Sequence, residues 1–187
     1  CIGNLIPSNA AYKIDLSYWE KYDVRPNYEK YGGITYFDKD FNCVGISYMG
    51  KLITKFDKSY NHVSFIFRST LVTAITLREH LAIIHWIIAN SMSVCSLKYL
   101  SHTHILRRFL KIFTFGTTAI NYASTLALAP FEGIAGRAFG FKKENWGLMM
   151  KDQLDSIKYQ SLHEKFNATG LPEEFKTSLA FYKDGFD

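Results

Sequence analysis

Paired cysteines are missing from this chain. Its three cysteines, Cys1, Cys43 and Cys95, form neither a disulfide framework nor the close pairs of a zinc site. An odd, unpaired count points to an intracellular reducing compartment, cytosol or plastid. Cys95 lies in an apolar run and is expected to be a buried thiol. Charge of one sign is not concentrated either. The formal net charge is +5, and the densest basic pair is Arg107-Arg108. That footprint is too small for nucleic-acid binding, which is excluded. Long hydrophobic runs are also lacking. The longest stretch without Asp, Glu, Lys or Arg, 112–131, is broken by Gly116, Asn121, Pro130 and five Ser or Thr residues. Leu81 to Leu97 is shorter still. A spanning helix needs about 20 mostly apolar residues, so no transmembrane helix is expected, while peripheral membrane contact stays open. Repeats and low-complexity linkers are absent. A start at Cys1 rather than Met reads as a processed or trimmed N-terminus, and no signal or transit segment is visible in what remains.

What is present is a single domain over 1–187 with enough length for a core. Apolar residues make up 48% and aromatics 16%, which excludes a disordered chain. Fifteen Phe and twelve Tyr predict a ring-rich core or a broad interface. Residues 1–60 read as an irregular lead-in followed by a β-hairpin. In the lead-in, Ile14, Leu16, Tyr18 and Trp19 could anchor a segment onto a partner surface. Ile34 to Phe37 and Cys43 to Tyr48 are β-prone around an Asp38-Lys39-Asp40 turn, and Gly50 permits a second turn. Residues 61–187 read as helical. No proline or glycine falls between Val63 and Leu97, and apolar residues recur at helical spacing. Around 81–88 the segment is apolar nearly all round, which predicts burial on every side. Shorter helices follow near 103–113 and 117–129, separated by Gly116 and stopped by Pro130. Another is expected after Glu144-Asn145, and a last one from Pro172, with Phe175, Leu179 and Tyr182 on one face. The fold class is therefore mainly α: a long buried central helix, packed shorter helices and a small β-hairpin near the N-terminus.

His80 and His85 sit five residues apart on the long helix. On regular α-winding they would point about 140° apart and could not share a metal ion. A π-bulge adds a residue to the turn and would bring them together. From spacing alone the pair reads either as hydrogen-bonded core residues or as metal ligands. Downstream come Leu100-Ser101, then His104-Ile105-Leu106, Phe109-Leu110, Ile120-Asn121 and Phe131-Glu132-Gly133.

In this order the chain resembles the lipoxygenases, as the first part of their iron-dependent catalytic domain. The resemblance needs no gap from His104 to Gly133, and extends more weakly to Tyr31–Tyr48 and to Gly170-Leu-Pro-Glu-Glu-Phe175. It implies that His80 and His85 are ligands of a non-haem iron. It also implies that Ser124, or Ala123 beside it, is the small residue that helps set oxygenation position. Leu128 would then be a pocket leucine near the reacting pentadiene. For Ser124, Ala123 and Leu128 plain helix packing reads equally well. His104 would be structural, and His62, His102 and His163 match no motif. The substrate class implied is a polyunsaturated fatty acid.

The chain also departs from that pattern. A third His, an Asn-like residue four positions on and a C-terminal isoleucine carboxylate complete the family's site, and none has a match here. The Glu expected four residues after the second ligand is Ala89. Two expectations follow. The chain is a lipoxygenase-like half-domain, active as a dioxygenase only when another chain completes it. Alternatively it is a catalytically inactive, lipoxygenase-derived structural subunit of a larger assembly. In both cases another protein chain covers its apolar face.

Overall fold

The computed structural model describes residues 6–158 and positions 160, 164 and 168. Contacts divide the chain into two units, Cys1–Asp155 and Ser156–Asp187, and the first is the one described below. The helix expected from Pro172, the 170–175 segment and His163 lie outside the described residues.

Four short strands, β1 (Tyr12–Asp15), β2 (Ile34–Phe37), β3 (Cys43–Tyr48) and β4 (Lys51–Ile53), form one antiparallel sheet in sequence order. The β2–β3 turn is built by Asp38, whose Oδ1 accepts from the backbone N–H of Asp40 at 3.0 Å and of Asn42 at 2.9 Å. Between Tyr48 and Lys51 the loop has only Met49 and Gly50, both left-handed at φ 49° and 76°. Two central residues with positive φ match the right-handed twist of the flanking strands, and glycine is the residue that does this without strain. The lead-in is more ordered than its sequence indicates. β1 pairs with β2 from Tyr12↔Phe37 to Asp15↔Ile34, and a 3-10 turn covers Ser17–Lys21. β1 is an edge strand with mostly exposed side chains, so no alternating apolar pattern marked it. Leu16 and Trp19 are buried in this chain's own core, while Ile14 and Tyr18 are exposed.

The long helix runs unbroken over Tyr60–Tyr99. It consists of α1 (Tyr60–Ala74), a π-wound segment (Ile75–Ala89) and α2 (Asn90–Tyr99). By length and composition it could cross a membrane, where the sequence led to the expectation of no such helix; the core helix of a soluble fold passes the same test, but is mostly buried, and this helix's apolar window is only 28% buried. Leu77, Leu81 and Ala82 face the core, whereas Ile84, Ile87 and Ile88 are exposed. The expectation of burial on every side therefore holds for one face only. That face packs against α4 (Thr117–Ala127) and α6 (Lys143–Asp155), and α1 meets β3. Cys95 is exposed, contrary to expectation. The small hydroxyl residues Ser93 and Ser96 turn inward on α2 instead, and Ser93 Oγ lies 3.3 Å from Thr118 Oγ1 of α4.

Trp19, Tyr22 and Phe141 form the centre of the core with Leu77 and Met149, all essentially inaccessible. Phe141 stacks on Tyr31 with centroids 4.6 Å apart and meets Trp19 at 5.8 Å. Each such ring removes about 150–250 Å² from water, of order 4–6 kcal/mol before the entropy of ordering is subtracted. Thr70 Oγ1 ties the segment leading into β2 to the helix. It accepts from Gly32 N–H at 2.9 Å and donates to Ile66 O at 2.9 Å. By contrast, α3 (Ile105–Thr114), which packs against α2, buries none of its residues. Ile105, Phe109, Ile112 and Phe113 are all more than half exposed.

Candidate metal centre

Fifteen residues of π-winding, Ile75–Ala89, carry both histidines. A π-turn closes i→i+5 hydrogen bonds, so residues five apart come to lie one above the other. The imidazoles of His80 and His85 accordingly stand edge to face, with centroids 4.7 Å apart and planes at 71°. His80 is exposed and His85 half-buried. Neighbouring Arg78 and Glu79 pair with each other at the surface.

Both rings line a cavity of about 300 Å³. Its floor is Leu77 and Leu81 of the π-segment, its side is Ile120, Asn121, Ser124 and Leu128, and its far wall is α5 (Ile134–Ala138) with Phe139. No Asp, Glu, Lys or Arg appears among these lining residues, which suits an uncharged hydrocarbon better than a polar ligand. The lead-in secures the far wall. Arg25 Nη2 donates to Phe139 O at 2.6 Å, and Gly140 N–H donates to Tyr31 Oη at 2.9 Å. Trp146 Nε1 donates to Ala129 O at 2.9 Å and fixes the turn after α4.

Four of the five candidate ligand and pocket residues thus share one cavity: His80, His85, Ser124 and Leu128. Ala123 is exposed and is not among its lining. His104 caps α3, its Nδ1 accepting from Leu106 N–H at 3.2 Å, and His62 Nε2 lies 3.3 Å from Glu29. His102 lines a different, larger cavity of about 640 Å³ among α2, α3 and α4, with Arg107, Arg108 and Lys111. That basic cavity contains neither His80 nor His85.

The sequence motif contained Ile120-Asn121 but not the work of Asn121. This residue is 3% exposed, and its Oδ1 lies 3.1 Å from His85 Nδ1. Its Nδ2 donates to His85 O at 2.7 Å and to Asn90 Oδ1 at 2.9 Å. An amide on an otherwise apolar helix face was the available signal.

The spacing of the two rings allows two positions around one ion. Imidazoles bound at right angles, each at about 2.1 Å, have centroids roughly 4.5 Å apart, close to the 4.7 Å found. Among the described residues no group of three or more His, Cys, Asp or Glu could hold a metal.

The chain was compared with known proteins. No family model and no curated protein sequence matches it. A solved structure does, described as the complete structure of manganese lipoxygenase of Gaeumannomyces graminis with a partial structure of zonadhesin of Komagataella pastoris. The TM-score is 0.66 at 17% sequence identity, over 87% of this chain and 31% of that one. The fold is lipoxygenase-like. The chain spans about a third of the length of that neighbour. At this identity the likeness establishes the helical framework and the small sheet of a lipoxygenase-like domain.

Proposed function

We propose that this chain supplies the two-histidine half of a lipoxygenase-type metal site. His80 and His85 would hold the ion through neutral imidazoles, and the remaining ligands would come from outside the described residues. The observation that carries this reading is the π-wound segment that sets the two rings 4.7 Å apart on the wall of an apolar cavity. An α-helix would separate them by about 140°. The likeness to a manganese lipoxygenase supports a metal here, and the non-haem site implied by the sequence resemblance makes iron the metal proposed. When bound, that metal would supply the one-electron chemistry by which a pentadiene loses hydrogen and takes up oxygen. The chain's own residues would do the rest. Leu77, Leu81, Leu128 and Phe139 enclose a stretch of polyunsaturated acyl chain and exclude water, and Ser124 sits beside it as the small residue.

A second reading has its own support. No third ligand is found among the described residues, and apolar side chains of α2, α3 and α4 are open to solvent, among them Leu97, Phe109, Ile112 and Leu126. On this reading the chain is a catalytically inactive structural subunit. Both readings place another protein chain over the exposed face.

Metal analysis of the native protein, purified with its partners, separates the two. About one iron per chain, lost on His80→Ala or His85→Ala, supports the metal-site reading and justifies dioxygenase assays with polyunsaturated fatty acids. Manganese in its place would retain the site and correct the metal. A metal-free preparation, with no uptake on adding Fe²⁺ or Mn²⁺, would leave the structural reading.

A further inference from the structure

The carbonyl oxygens of His85 and Trp86 lie near the end of the π-segment, where α-winding resumes at Asn90. The Asn90 N–H bonds to Ile87 O and passes both of them over. Each receives a side-chain amide. Asn121 Nδ2 donates to His85 O at 2.7 Å, and Asn90 Nδ2 donates to Trp86 O at 3.2 Å. A backbone carbonyl can only accept, so these two contacts fix which end of each amide is nitrogen. Asn90 Oδ1 is then the acceptor for Asn121 Nδ2 at 2.9 Å. Asn121 Oδ1 is left facing His85 Nδ1 at 3.1 Å. An amide oxygen cannot donate, so the proton of this contact belongs to His85 Nδ1. In the neutral ring Nε2 then holds the lone pair.

We propose that Asn121, from a helix 36 residues further along the chain, is a positioning residue that locks His85 as its Nδ1–H tautomer. The same amide holds the His85 backbone where the π-winding ends. One side chain therefore sets both the ring's protonation pattern and the place of the residue that carries it. The tautomer follows from hydrogen bonds alone. Its use, presenting Nε2 to a metal, rests on the function proposed above. Ligating histidines hold the second nitrogen in this way, and loss of such a partner typically weakens metal affinity about 10–100-fold.

The test begins with the full-length protein, ¹⁵N-labelled at histidine and stripped of metal by a chelator. Long-range ¹H–¹⁵N correlation spectra distinguish the two tautomers, and His85→Gln assigns the signal. Wild type is expected to show His85 protonated at Nδ1, and Asn121→Leu to lose that preference. Asn121→Asp keeps an acceptor at the same place and is expected to retain the Nδ1–H signature, which a merely structural role would not predict. An Nε2–H ring in wild type, or an unchanged Nδ1–H ring in Asn121→Leu, overturns the proposal. Should Asn121→Leu fail to fold, a shift of Asn121→Asp to Nε2–H overturns it equally. Mn²⁺ titration followed by electron paramagnetic resonance is the second arm. About 10–100-fold weaker binding in Asn121→Leu is expected, and equal affinity would overturn the positioning role. Wild type that shows the Nδ1–H ring but takes up no Mn²⁺ or Fe²⁺ would sink the metal reading and leave the tautomer lock standing.

Discussion

Replacing Gly136 by alanine is the sharpest test of how the cavity's far wall is built. Gly136 lies in α5, and that short helix turns back on the loop at Phe131. A Cβ added there would lie 2.0 Å from Phe131 O and 2.5 Å from both Phe131 C and Cα. Ordinary contact begins at 3.4 Å, so the two backbones would have to separate by well over an ångström. No flexible side chain is in the way to yield. Overpacking usually costs about 1–3 kcal/mol, and a clash of backbone with backbone belongs at the top of that range. In a chain of this size about 3 kcal/mol lowers Tm by roughly 6–12 °C. Gly147, exposed in α6, is the control. An added Cβ meets nothing within 4 Å there, and Gly→Ala in an open helix interior stabilises by about 0.5–1 kcal/mol. The same chemical change is therefore expected to act with opposite signs at two positions. Urea and thermal melts followed by far-UV circular dichroism measure both. Because Ile134, Ala135 and Ala138 line the cavity, Gly136→Ala should also weaken binding of an apolar fluorophore there. A Gly136→Ala protein as stable as wild type would refute the close approach and the wall argued from it.

Three further outcomes are expected. Leu77→Ala removes a fully buried side chain shared by the core and the cavity. It should cost about 2–5 kcal/mol in urea unfolding, and a loss below 1 kcal/mol would mean the site collapses around the gap. Burial lifts Tyr22 to about 12, helped by its hydrogen bond to the Asp152 carboxylate, and burial beside Glu29 and Glu20 lifts Tyr48 to about 12. The unfolded chain then releases protons from its ordinary pKa of 10.0 upward while the native state still holds them. Stability should fall as pH rises from about 10 to 12, and the fall should be shallower in a Tyr22→Phe/Tyr48→Phe double variant; identical slopes would remove these residues from the account. Finally, exposed Cys95 should react with a maleimide faster than half-buried Cys43 in the isolated chain. If a partner chain covers α2, native assembly should slow Cys95 labelling, and undiminished labelling would place the partner elsewhere.

Much of the helical layout was legible because it depends on local chemistry. The absence of Pro and Gly from Val63 to Leu97 foretold a helix that the structure extends to Tyr60–Tyr99. Gly116 and Pro130 punctuated the next two helices much as expected. β1 was not legible, because an edge strand with exposed side chains leaves no alternation to read. Nor was the inward turn of Ser93 and Ser96 in place of Cys95, which the approach of α4 decides. The one-sided burial of Ile84, Ile87 and Ile88 was hidden for a related reason. Apolar composition says that a face can be covered, and only the neighbouring elements say whether it is.

The sequence by itself determined a condition on the histidine pair. Five-residue spacing forbids a shared ion on α-winding and permits one on π-winding, because the angle per residue is a property of the backbone alone. It also determined the order of helices and strands that the lipoxygenase-like fold uses. Which winding was adopted, and which nitrogen of His85 carries the proton, were decided by tertiary structure. Asn121 reaches His85 from 36 residues away, and the cavity exists only where the π-segment, α4 and α5 meet. Those contacts join residues remote in sequence, and no local pattern specifies them until the core around Trp19, Leu77 and Phe141 has brought the elements together.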